Sequence, residues 1–306
     1  MIPKVDIGIA CSGAQSPAWW SSVFSNLIQE IRAGGWELGQ VLTISSALPD
    51  HNKNHAVGGA IANVEEKRRN QLTDANRAVL SNRFLTGSES GWRADWLMQI
   101  DDDTVPPEMA VTDLLNLQKD FAAGVYFNAN PPYNPIAYVR DQSGVGYQAV
   151  YDYPAGMLTQ VDSVGMGCTL IHRSVFERIQ DGHTLFQRPN GTLVPVLSSK
   201  VHRISPMFGR GMSKENSFVA DEWYCERLSK PSADDNRPWP FYAMEYGRTE
   251  DHWFCELAAA VGVRPWLDTT ILCNHIKSKG TEYADYQREI ASQKGLASDP
   301  YRSGAG

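Results

Sequence analysis

The first segment of the chain places the tightest limit on its fold. Val5 to Ala10 is a short apolar run containing Ile7 and Ile9, the pattern of a buried strand. Cys11-Ser12-Gly13 then turns the chain. Ser16 and Pro17 open a helix, a capping residue followed by proline at the first helical position. Trp20, Val23, Phe24, Leu27, Ile28 and Ile31 recur at helical spacing, and Gly34-Gly35 ends the helix. Trp36 to Ser45, centred on Val41, Leu42 and Ile44, reads as a second strand. Strand, helix and strand in this order make a β-α-β unit. Such units imply a parallel sheet that binds ligands at the carboxyl ends of its strands.

The remaining elements continue the α/β pattern. Ser46 to Ala62 is a polar loop, and Asn63 caps a helix running to about Asn82, with Glu66 at the capping-box position. Asp95 to Ile100 is an apolar strand that runs directly into Asp101-Asp102-Asp103. Pro106-Pro107 opens a helix that ends before Phe121, and Phe121 to Phe127 forms a strand. Val161 to Arg173 is an apolar strand region interrupted by Gly165 and Gly167, which either let backbone approach a ligand or mark a bulge. Gly182 to Trp239 has weak periodicity and reads as an irregular insertion. Thr249 to Val261 is a helix, and Ile271 to His275 ends the last strand. No repeat or linker divides the 306 residues, a length that suits one α/β domain with a substantial core. The expected organisation is a single domain over residues 1–280, with an insertion at 183–240 and a helix and tail at 281–306.

Composition excludes several classes. Hydrophobic content of 42% and charged content of 21% suit a globular chain. A formal net charge of -7 argues against a general binder of polyanions. Cys11, Cys168, Cys225, Cys255 and Cys273 are odd in number and widely spaced, which disfavours a disulfide framework and a cysteine-based zinc site and fits a reducing compartment. The N-terminus carries no long apolar h-region, and no apolar run reaches about 18 residues. These features together lead to the expectation of a cytoplasmic enzyme.

Asp101, Asp102 and Asp103 carry the chemistry. Three adjacent carboxylates repel one another and favour a bound cation, and at a strand end they face the crevice above the sheet. Hard cations such as Mg²⁺ or Mn²⁺ take oxygen ligands of this kind and share them with substrate phosphates. A solvated acidic turn is the plainer alternative, disfavoured by the apolar strand before the triplet and the Pro-Pro helix start after it.

Trp96-Leu-Met-Gln-Ile-Asp-Asp-Asp resembles the D-x-D signature of the GT-A glycosyltransferases, which likewise follows a hydrophobic strand. The resemblance spans about residues 4 to 280. Arg69-Asn70 is similar to a pair near the donor, Thr249-Glu250-Asp251 to the acidic motif that supplies a catalytic base in inverting members, and Cys273-Asn-His275 to a strand end bearing a further metal ligand. The family implies a GT-A type, Rossmann-like, mostly parallel sheet flanked by helices. It implies a metal-dependent transfer of a sugar, hexosyl or pentosyl, from a nucleoside-diphosphate sugar to a hydroxyl, with Mn²⁺ or Mg²⁺ as cofactor. Carried over, Asp101 is a ribose or metal contact, Asp103 a metal ligand, and Asp102 shares either role. His275 is a further metal ligand, or else a core histidine. Asp251, with Glu250 beside it, is the base, and the helix dipole at the first turn favours its ionised form; plain helix capping is the alternative. Lys277 and Lys279 hold the diphosphate or lie in solvent. Cys11, Ser12 and Gly13 lie where the nucleotide base and ribose rest in this fold.

The acceptor is read from the insertion. Gly182 to Lys214 contains no Asp or Glu but carries Arg188, Lys200, Arg203, Arg210, Lys214, His183 and His202, with Trp223, Trp239, Phe241 and Tyr242 soon after. Basic residues interleaved with aromatics suit a phosphate-bearing acceptor, and Arg203, Arg210, Trp223 and Trp239 are the candidate contacts. Modified bases in DNA are one such acceptor, and a cell-surface saccharide is equally compatible. Among rival classes, a nucleotidyltransferase would carry a basic Gly-rich loop after the first strand, and Cys11 to Trp20 contains no Arg or Lys. A two-metal hydrolase or nuclease would show more His and Asp ligands. A non-catalytic module would have no need of the acidic triplet, acidic pair and histidine together.

Overall fold

The computed structural model of the chain describes residues 2–11, 17–45, 76–87, 91, 93–128, 132–142, 146–153, 155–187, 193–199, 226–227, 239–243 and 249–276. The β-α-β opening is β1 (Lys4–Cys11), α1 (Pro17–Ala33) and β2 (Glu37–Ser45). Helix α2 covers residues 76–86. Then come β3 (Trp96–Asp101), β4 (Thr104–Val105), α3 (Ala110–Asn116), β5 (Phe121–Val125), β6 (Ala137–Arg140), β7 (Tyr147–Ala149), β8 (Leu158–Gln160) and β9 (Ser163–Val164). The chain continues with β10 (Cys168–His172), α4 (Arg173–Gly182), β11 (His183–Gln187), β12 (Leu193–Leu197) and β13 (Glu226–Arg227). Last are α5 (Glu250–Ala260), β14 (Trp266–Leu272) and β15 (Asn274–His275).

Seven strands form the central sheet in the order β2-β1-β3-β10-β5-β14-β8. β1 pairs in parallel with β2 and β3, and β14 in parallel with β5. β10 lies antiparallel between β3 and β5, and β8 is antiparallel to β14 at the edge. Five strands therefore share one direction and two are reversed, a mostly parallel α/β sheet.

Period-two alternation explains the two layers of core. On β1, Val5, Ile7 and Ile9 are fully buried and pack against Trp19, Val23 and Leu27 of α1 and against Val111 and Leu114 of α3. The opposite sheet face, with Leu97, Phe121, Ala123 and Leu267, meets Leu80 and Phe84 of α2, Phe176 and Ile179 of α4, and Phe254 and Leu257 of α5. Helices thus cover both faces. No described helix is long and apolar enough to cross a membrane.

Three sequence expectations change in detail. The helix expected at Pro106-Pro107 starts at Ala110, after Met109 at φ 63. Thr104 and Val105 are instead drawn into pairing with β15, and a residue preceding proline resists the helical conformation. The apolar region 161–173 divides into β9, in a small sheet with β6 and β7, and the reversed β10. The insertion is regular where it begins: β11 and β12 form a hairpin, with β13 added to β11. Its stretches 188–192, 200–225 and 228–238, and the tail from 277, lie outside the described residues.

Candidate active site

The carboxyl ends of β1, β3, β5 and β14 lie on one edge of the sheet. Reversal of β10 brings its start, and the Gly165-Met166-Gly167 turn before it, to the same edge. Asp101 is the last residue of β3, and its N–H donates to the Gly167 carbonyl at 3.3 Å. Trp19 Nε1 donates to the Thr104 carbonyl at 2.9 Å and Asn26 to the Pro106 carbonyl at 3.0 Å, so α1 holds the segment that follows the triplet.

Asp103 is gripped twice by the chain around β15. Its carbonyl accepts from the Ile276 N–H at 2.6 Å, and its Oδ2 lies 3.0 Å from His275 Nε2. His275 Nδ1 lies 2.6 Å from the Phe127 carbonyl. A carbonyl can only accept, so Nδ1 carries a proton. In the neutral ring, Nε2 is then an acceptor facing another acceptor, and the pair calls for a proton or a cation between its members. Ligands at right angles around a Mg²⁺-sized ion with bonds of about 2.1 Å stand about 3.0 Å apart, so the pair fits a hard divalent cation. Among the described residues no group of three His, Cys, Asp or Glu side chains surrounds a common point.

Arg77 joins the two acidic motifs. Helix α2 is tied to the sheet by Asn76, whose Nδ2 donates to the Cys11 carbonyl at 3.1 Å. The next side chain, Arg77, is 3% exposed. Its Nη2 forms a very short ion pair with Asp101 Oδ1. Its Nη1 donates to Asp251 Oδ1 at 2.7 Å and lies 3.5 Å from Glu250 Oε1. Burial pulls the guanidinium pKa down, but Asp101, Asp251 and Glu250 outweigh it and keep the group charged.

The same environment alters the carboxyls. Burial pushes Asp101 up to about 6, opposed by Arg77 and helped by Asp103, Asp102 and Glu250. Burial likewise raises Asp251 well above the ordinary range; Arg77 and the Met166 N–H oppose this, and Glu250 and Asp101 add to it. Burial thus opposes the ionised form that the helix dipole at the first turn of α5 favours.

Tyr126 sits beneath this cluster. Its hydroxyl accepts from the Gly167 N–H at 3.1 Å, and its ring meets His275 edge-on with centroids 5.6 Å apart. The glycines are required by this contact. A Cβ on Gly167 would stand 2.9 Å from Tyr126 Cζ and 3.0 Å from Asp101 Oδ2, and one on Gly165 would strike the Tyr126 hydroxyl and lie 2.6 Å from Ile136. Both glycines let a backbone turn close over a tyrosine.

The structure thus brings together Asp101, Asp103, Glu250, Asp251 and His275, with Asp102 in the turn between the first two. Cys11 ends β1 with its side chain buried. Trp239 is 4% exposed and packs on Phe241 at 4.4 Å between centroids. Its backbone is held by Asn82, so the ring belongs to the core here. Ser12, Gly13, Arg69, Asn70, Arg203, Arg210, Trp223, Lys277 and Lys279 lie outside the described residues. Sequence reasoning missed Arg77 and Tyr126. Arg77 had a signal: it shares a helical face with Ser81 and Phe84, both fully buried, and an arginine on an apolar face needs buried partners.

No protein-family model matches the chain, and no curated protein matches it significantly. Solved structures with distant similarity include the following three. The A197 protein from STIV is 13% identical at TM-score 0.39, covering 90% of this chain and 87% of its own. A glycosyltransferase involved in glycosylation of the major capsid of PBCV-1 is 12% identical at TM-score 0.27, covering 57% of this chain and 62% of its own. GalNAc-T7 with UDP, GalNAc and Mn²⁺ is 12% identical at TM-score 0.41, covering 98% of this chain and 52% of its own.

Proposed function

We propose that this protein is a metal-dependent glycosyltransferase that moves a sugar from a nucleoside-diphosphate donor to an acceptor hydroxyl. One observation carries the reading: the acidic triplet after β3 and the acidic pair at the start of α5, remote in sequence, share one buried arginine at the ligand-binding edge of the sheet. A buried guanidinium is stable there only with such partners, so the arrangement is built and not incidental.

Asp103 and His275 would hold the divalent cation, and Asp101, fixed by Arg77, would face the donor ribose. When bound, the ion supplies positive charge that neutralises the leaving diphosphate. Asp251 takes the proton of the acceptor hydroxyl. A base must be ionised to accept that proton, and the Arg77 guanidinium favours the ionised form against the burial that raises the carboxyl. Direct attack by the acceptor oxygen on the anomeric carbon then inverts that centre. Cys11 to Gly13, Arg69, Asn70, Lys277 and Lys279 are assigned to the donor. Arg203, Arg210 and Trp223 are assigned to an acceptor that carries phosphates, such as a modified DNA base; a saccharide is the alternative acceptor.

Thermal shifts with UDP-, GDP- and CDP-sugars, each with and without Mn²⁺, test the reading. Stabilisation that requires metal and nucleotide together is expected. No response across the panel would overturn it.

A further inference from the structure

The site contains a group for which the reaction as stated has no use. Arg77 binds no cation and, with every Nη contact directed to a carboxylate, is not free to hold a diphosphate. We infer that Arg77 is a positioning residue that sets the distance between the donor-side carboxylate Asp101 and the acceptor-side base Asp251; the inference rests on the transferase reading.

Three observations support this. First, the two arms of the guanidinium are divided between elements: Nη2 goes to the end of β3 and Nη1 to the first turn of α5. The fork is planar and rigid, so it fixes separation and orientation as well as charge. Second, the arginine is itself anchored, because the neighbouring Asn76 ties α2 to the end of β1. Four secondary-structure elements, β1, α2, β3 and α5, are thereby joined through two neighbouring residues. Third, Arg77 Nε is buried and has no hydrogen-bond partner among the described residues. An arginine recruited only for stability would be expected to use that donor. Here both Nη groups take the two acidic motifs and the third donor is sacrificed to the geometry.

The opposite ends of this bridge serve different substrates. Asp101 belongs to the strand that presents the donor, and Asp251 to the helix that activates the acceptor. In-line transfer needs the two substrates to meet at a fixed distance, and a misplacement of about 1 Å costs about 100-fold in rate. Charge neutralisation alone would be met by lysine, whose single ammonium cannot span both carboxylates in the same way.

Arg77→Lys and Arg77→Met test the inference in the full chain, with the wild type and Asp251→Asn alongside. Expected is a fall in kcat of about 100-fold in both Arg77 variants, with donor KM changed by no more than about 3-fold. Arg77→Met should add little to the loss already caused by Asp251→Asn, because both remove one function. Wild-type kcat in Arg77→Lys, or additive losses in the double variant, would overturn the inference. If Arg77→Met fails to fold, Arg77→Lys decides. If the wild type transfers no sugar, the transferase reading fails. A crystal structure of Arg77→Lys then still decides the positioning role: it stands if Asp101 and Asp251 separate and falls if they keep their places.

Discussion

His275 and Asp103 face each other at 3.0 Å, while the far nitrogen of the imidazole is committed to the Phe127 carbonyl at 2.6 Å. The carbonyl holds the proton on Nδ1, so Nε2 meets the carboxylate either protonated, as an ion pair, or as a free electron pair. The free electron pair has a use when a cation occupies the gap. His275→Ala should therefore weaken Mn²⁺ binding by on the order of 100-fold with the fold intact, and Asp103→Asn should do at least as much. Calorimetric titration of Mn²⁺ into the two variants checks this. Wild-type affinity in both would remove the metal assignment.

Asp101 makes a pH prediction for the metal-free protein. Its carboxyl is pushed up to about 6 by burial, whereas an unfolded aspartate titrates near about 4. A group with a raised folded pKa binds its proton more tightly when folded. Its contribution to stability is therefore fully present on the acid side and is lost as pH rises from about 4 to about 6. The wild type should lose on the order of 2 kcal/mol relative to Asp101→Asn across that window. Urea melts in EDTA at a series of pH values measure the difference. Mn²⁺ should reverse the trend, because the cation binds the deprotonated carboxylates and its stabilisation grows as they ionise.

The elements whose signal is local were legible in the sequence. Strand β1, helix α1 and strand β2 follow from periodicity and caps, and Asp101 from its place at the end of an apolar strand. Glu250, Asp251 and His275 were legible as candidates because each stands at an element boundary. The reversal of β10 was not, since a central strand buries the same apolar residues in either direction. That reversal is what delivers Gly165 to Gly167 to the site. Arg77 was hidden for a different reason. Its meaning lies in contacts with residues far along the chain, and only its position on the buried face of α2 hints at them.

Gly167 predicts a steric effect confined to the site. A methyl group there would stand 2.8 Å from Thr104 Oγ1 as well as against Tyr126 and Asp101, none of which is the free end of a flexible chain. Gly167→Ala should cost about 1–3 kcal/mol by overpacking and should lower activity with it. Tyr126→Phe leaves the ring and removes only the acceptor for the Gly167 N–H, at a cost of about 1 kcal/mol. Chemical denaturation of the two variants compares them. A harmless Gly167→Ala would mean that the turn yields more readily than its contacts imply.

Asp251→Asn separates proton removal from architecture. The amide oxygen can still accept from Arg77 Nη1, so the link between the acidic motifs is kept and donor binding should be unaffected. What is lost is the basic oxygen. General-base catalysis is worth on the order of 100- to 10,000-fold, and turnover should fall by an amount in that range. Steady-state kinetics, together with the thermal shift given by nucleotide sugar and Mn²⁺, checks both halves of the prediction. Full turnover would strip Asp251 of the base role and leave Glu250, whose Oε1 lies 3.5 Å from the same Nη1, as the carboxylate to test next. Loss of donor binding along with turnover would show instead that Asp251 holds the site together through Arg77 and that the proton goes elsewhere.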